Sequence, residues 1–218
     1  MHLQALIWRV EDFMSIRRFA LAIVGVLALA SPVAAQPAGP GPQPVVLRGK
    51  VTSLSGSQIV VKPAKGQPVT VAFTPDWSVQ VTRPIAVDQI KPGSFVGTAN
   101  MPTGEGQGRS LEVHVFPPGV KVGEGHYGWS LKKGSMMTNG TVGRVTTGPK
   151  GRELLISYPN GQRKVVVPPR VPVVEIVGGE RAQVKTGIPV FLIAFPKPDG
   201  GLITNGVSIG VNGAAPPM

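Results

Sequence analysis

The sequence predicts an all-β chain made of two tandem copies of one small barrel-forming unit, joined by an ordered connector. Three observations predict it. Glycine (29 residues) and proline (23) are abundant while only 15% of residues are charged, which suits short strands and tight turns better than long helices. Apolar residues alternate along much of the chain, as half-buried strands require. The pattern of the first half returns in the second at a nearly constant offset.

The chain opens on a leader. Arg17 and Arg18 precede the apolar run Phe19 to Ala30, and Val33 and Ala35 are the small residues of a cleavage site. This predicts a secretory signal peptide over residues 1–35, cleaved after Ala35, with Met14 a possible true start and a periplasmic or secreted destination. Without that leader no span long enough for a membrane helix is expected. Removing it takes Arg9, Arg17, Arg18, Glu11 and Asp12 from the 22 basic and 11 acidic residues, leaving 19 and 9, a net charge of +10. Such a balance favours an anionic envelope polymer or a protein partner, and nucleic acid is not expected outside the cytoplasm. Cysteine is absent, which excludes disulfides and thiol chemistry.

Residues 36–44 form a Pro/Gly linker. The first repeat is expected over 45–117, with strands at Val45 to Leu54, Gln58 to Lys62, Pro68 to Phe73, Ser78 to Thr82, Ser94 to Ala99 and Ser110 to Phe116. In the last of these, Leu111, Val113 and Val115 share the core face, so His114 is expected on the exposed one. The second repeat is expected over 138–218. An offset of 94 carries Val71 to Val165, Pro75 to Pro169, Gly93 to Gly187 and Val113 to Val207, and an offset of 91 carries Gly49 to Gly140. The three extra residues fall in the longer first hairpin around Gly148 to Glu153. Five or six short strands and one helical turn per unit fit a small OB-like barrel, whose closed sheet removes its own edges, with a small open sandwich as the other architecture.

The Gly-x-Val strand start, the alternating strand ending in Pro75 or Pro169, the Lys-x-Gly turns at Lys91 and Lys185, and the last Val-rich strand resemble domain-of-unknown-function family 5666. The resemblance covers about Val45 to Phe116 and Thr138 to Asn212. It implies exported bacterial proteins with tandem OB-like barrels; it implies no activity and no catalytic residues.

Candidate chemistry is sparse. No nucleophile elbow or phosphate loop is present, and no cofactor is expected. Comparison of the repeats sets Asp76 against Arg170, Asp88 against Ala182 and Glu112 against Gly206, so none of these acids recurs. The inter-repeat connector, 118–137, is too long and too aromatic for a plain linker. Tyr127 and Trp129 are expected to pack between the repeats, and with His126, Lys132 and Lys133 they form the predicted ligand seam. Trp77 is expected in the core. The function expected is a non-enzymatic envelope protein acting as a binding or structural module. The alternative is a periplasmic copper or zinc accessory protein using His114, His126, Met136 and Met137 as donors.

Overall fold

The computed structural model describes residues 43–218, so the expected signal peptide over 1–35, its expected cleavage site and nearly all of the expected Pro/Gly linker lie outside the described residues. Thirteen strands follow in order: β1 Val45–Leu54, β2 Gln58–Pro63, β3 Val69–Pro84, β4 Phe95–Gly104, β5 Gln107–Ser110, β6 Val113–Val115 and β7 Gly125–Gly128, then β8 Met136–Gly148, β9 Gly151–Tyr158, β10 Gly161–Val167, β11 Val173–Gly179, β12 Pro189–Pro196 and β13 Leu202–Gly210. Short 3-10 turns at Val87–Gln89 and Arg181–Gln183 occupy the two positions where a helical turn is expected. Each is held the same way: the Ala86 amide donates to Gln89 Oε1 and the Glu180 amide to Gln183 Oε1.

The fold is all-β with a closed five-stranded barrel. β1 pairs antiparallel with β2 and β12, β2 with β3, and β12 with β13, while β13 runs parallel to β3 and shuts the ring. Counted within one repeat, the order is first, second, third, fifth, fourth, the Greek-key closure expected of a small barrel. The remaining strands follow the same scheme. β8 pairs with β9 and β4, β9 with β10, β4 with β5, and β10 runs parallel to β5. The antiparallel pair β3–β11 joins the two rings into one sheet.

The tandem arrangement, with 45–117 and 138–218 each closing its own barrel, does not occur. Each ring takes three strands from one repeat and two from the other. The reason is local. After β3 the chain makes its 3-10 turn and docks on the opposite ring, where the Gly93 amide donates to Val142 O and the Val142 amide to Ser94 O. The equivalent turn docks Gly187 and Ile188 on Val51. Gly93 and Gly187 adopt φ of 90° and 89°, a left-handed conformation that glycine reaches without strain. Strands at equivalent positions can change rings without altering the strand scheme of either.

The registers run alike at positions 94 or 91 residues apart. Val79 pairs with Val207 in one ring and Val173 with Val113 in the other, and Val45 with Ala194 where Met136 pairs with Asn100. The first hairpin differs from expectation: Val51 pairs with Val61, whereas Val142 pairs with Ile156, an offset of 95 for the second strand. Four residues are therefore gained in the first hairpin and one lost in the next.

Alternation places Val51, Ile59, Val61 and Val71, with Leu192 and Val207 of the other repeat, in the first interior. Val96 and Val113 join Val142, Leu154, Ile156 and Val165 in the second. Trp77 is 6% exposed and stacks on Phe73 at 4.0 Å, a core residue as expected. A third cluster, with Ile176, Phe191 and Met218 at its centre and Trp129 and Phe116 against it, fills the seam between the rings.

Candidate functional site in the inter-ring seam

Beside that third cluster lies a cavity of about 360 Å³. Its walls come from both repeats and the connector: His114 and Phe116, Met137 and Asn139 on β8, Tyr127 and Trp129, Ile176 on β11, Phe191 and Ile193 on β12, Ser208 on β13. Val122, Tyr127 and Phe195, all lining residues, are 48%, 38% and 46% exposed and give it an apolar rim.

The polar groups of the wall follow from strand alternation. Val113 faces the ring interior, so Glu112, His114 and Phe116 face the seam. His114 is 4% exposed, contrary to the exposure expected of its face, because the connector and the second repeat cover that face. Glu112 is 1% exposed. Its Oε1 accepts the Ala99 amide at 2.7 Å, and its Oε2 lies 3.0 Å from His114 Nδ1. The Ala99 amide is available because the irregular Leu111–Glu112 step lies between β5 and β6. A carboxylate only accepts, so Nδ1 of His114 carries a proton and donates to Glu112 Oε2. Nε2 and Asn139 Oδ1 converge over Gly97, where a Cβ would overlap both.

Asn139 is 6% exposed. Its Nδ2 donates to Val122 O at 3.2 Å and to Tyr127 Oη at 3.1 Å, while its Oδ1 has no partner. Burial raises the Tyr127 pKa, so the phenol stays protonated. Trp129 closes the cavity against Phe191, ring centroids 6.2 Å apart, and its Nε1 is buried without a partner. Behind these rings Arg48 of β1 lies 5.5 Å from the Trp129 centroid and 5.3 Å from that of Phe191. Its Nε donates to Met218 O at 2.6 Å and its Nη1 to Ser130 Oγ at 3.0 Å. Burial lowers the Arg48 pKa, against the opposing field of Glu112.

Of the predicted seam residues, the structure brings Tyr127 and Trp129 to the cavity and leaves the others out. Lys132 and Lys133 are exposed in the turn that the Trp129 amide closes on Ser135 O. His126 lies on the opposite face of β8, its Nδ1 2.8 Å from Thr138 Oγ1 and its ring 6.4 Å from that of Tyr158. Burial lowers its pKa, and Arg163 adds to the effect.

The four metal donors are divided in the same way. His114 and Met137 line the cavity. Met136, an even-numbered neighbour of Thr138, shares the His126 face. One site holding all four therefore does not form, and no group of three or more His, Asp or Glu suited to a metal occurs among the described residues.

Glu112, Asn139 and Arg48 are functional candidates that sequence reasoning missed. Glu112 was discounted for lacking a counterpart, although an acid two residues from a histidine in a strand shares its face. No protein-family model, no curated protein and no solved structure matches the chain.

Proposed function

We propose that this is an exported, non-enzymatic binding module that takes one small amphipathic molecule into the seam cavity. The observation that carries the reading is the cavity itself, of about 360 Å³, aromatic-walled and open through an apolar rim. That size and lining are those of small-molecule sites, where a few placed polar groups orient an otherwise apolar ligand. Binding suits the groups present better than catalysis. Glu112 and His114 form an acid–histidine pair, but the wall hydroxyl Ser208 donates to Gln80 Oε1 at 3.1 Å instead of serving His114. The leader with Arg17, Arg18 and its apolar run supports export. No helix among the described residues is long and apolar enough to cross a membrane.

The test is titration with the neutral fluorophore N-phenylnaphthylamine. We expect saturable enhancement at one site per chain, lost in Asn205→Trp, which places a large ring at an exposed lining position. Non-saturable enhancement, or equal enhancement by that variant, would contradict the reading.

A further inference from the structure

The buried and the exposed parts of the cavity wall differ in chemistry. Met137, Ile176 and Phe191 make the buried part apolar. The exposed part carries Ser78 and Gln80 of β3 and Asn205 of β13. Ser78 and Gln80 alternate onto one face of their strand, about 7 Å apart, and Asn205 stands one strand away, about 5 Å, at the register shift between Thr204 and Gly206. A Cβ added at Gly206 would meet nothing nearer than Ser78 O at 3.8 Å, so the wall between these side chains is open. Ser208 Oγ lies 3.1 Å from Gln80 Oε1 and steadies that carboxamide, while the side chains of Ser78 and Asn205 have no hydrogen-bond partner among the described residues. No Lys, Arg, Asp or Glu side chain of the described residues lines the cavity, in a chain of net charge +11.

Resting on the binding reading above, we propose that the cavity takes a neutral polyhydroxyl head group, a sugar or a glycerol, on its exposed polar wall and the apolar chain attached to it in its buried part. A hydroxyl both donates and accepts, as do the Ser hydroxyl and the Asn and Gln carboxamides, so the match holds whichever way each group is turned. Neighbouring hydroxyls of one head group reach more than one of the three side chains at once. The exposed rings of Tyr127 and Phe195 offer apolar surface to its C–H bonds. A sulfate, carboxylate or ammonium finds no counter-charge among the lining side chains and loses hydration on entering. A methyl ester only accepts, and so meets fewer of the wall groups.

The experiment compares five amphiphiles, octyl glucoside, monooctanoylglycerol, methyl octanoate, octyl sulfate and octylammonium, as competitors of N-phenylnaphthylamine on the full chain, each below its micelle concentration. We expect the better of the two polyols to bind about tenfold more tightly than methyl octanoate, the effect of one or two hydrogen bonds, with both ions weakest. Which polyol leads tells a sugar from a glycerol head. In the double variant Ser78→Ala, Asn205→Ala, both at exposed positions, the polyol-to-ester ratio falls to about one, while in Thr70→Ala, on β3 outside the cavity, it persists. Equal affinities for polyols and ester, an ion binding best, or failure of all five to displace a bound fluorophore would overturn the head-group assignment and leave the binding reading standing. Failure of the fluorophore itself to bind would remove both. An unchanged ratio in the double variant would overturn the placing of the head group on β3 and β13.

Discussion

The two rings share a strand scheme but not an interior. At one end of the first, Leu47, Leu192 and Ala194 are buried with Val69 packed beside them. At the equivalent positions of the second stand Thr138, Thr98, Asn100 and Arg163, also buried. There Asn100 Nδ2 donates to Thr138 Oγ1 and to Thr98 O, both at 3.0 Å, and Arg163 Nη2 donates to Gln107 O at 2.7 Å. Asn100 Oδ1 and Arg163 Nε have no partner. The seam repeats the contrast. Gly97, Glu112, His114 and Asn139 of one ring stand at the positions of Phe191, Gly206, Ser208 and Arg48 in the other. Two rings of one strand scheme thus differ most where polar groups are buried, and the cavity takes His114 and Asn139 from one ring and Phe191 and Ser208 from the other.

The comparison can be broken first at its shared foundation. Ile59→Ala in one interior and Ile156→Ala in the other remove fully buried side chains, and each should cost about 2–5 kcal/mol. Because every ring contains strands of both repeats, both variants should lower one calorimetric transition. Two transitions, each sensitive to one variant, would mean that each repeat folds alone. Trp129→Ala should come next, at about 2 kcal/mol in denaturant unfolding, since the ring is only partly buried but anchors the connector on Phe191.

Smaller effects sharpen the contrast between interiors. Asn100→Ala should cost about 1 kcal/mol by leaving Thr138 Oγ1 without its amide partner. Replacing Thr98, Asn100 and Thr138 together by the Leu, Ala and Leu of the first ring should cost less than the sum of the single changes. The smallest effect is that of pH. His126 titrates below the ordinary 6.5 in the folded chain, so folding favours its neutral form. That contribution is present above about pH 6.5 and declines as pH falls through the unfolded value toward the folded one. In His126→Gln the decline in stability from pH 7 to 5 should be shallower, and an identical slope would contradict the assignment.

Much of the fold was legible in sequence because strand alternation and turn glycines are local signals. Val69, Val71 and Phe73 point inward as their spacing says, and the offset of 94 reappears in the registers of Val79 with Val207 and Val173 with Val113. Which copy each strand joins was not legible. Segments with the same strand pattern fit either ring, and the path after β3 decides between them. His114 shows the same limit: its face was read correctly, but what covers that face comes from strands nearly 80 residues away, such as Phe191. Glu112 was hidden by a sound filter applied to the wrong kind of site. Absence of a counterpart argues against a symmetric site, and this seam is an asymmetric one.

The most direct measurement follows the assigned indole N–H resonances of Trp129 and Trp77 while N-phenylnaphthylamine is titrated into the full chain. Trp129 lines the seam and Trp77 lies in the first ring's interior, stacked on Phe73. A saturable shift of Trp129 with Trp77 unmoved is the predicted result. No shift at Trp129, or equal shifts at both, would contradict a binding site between the rings.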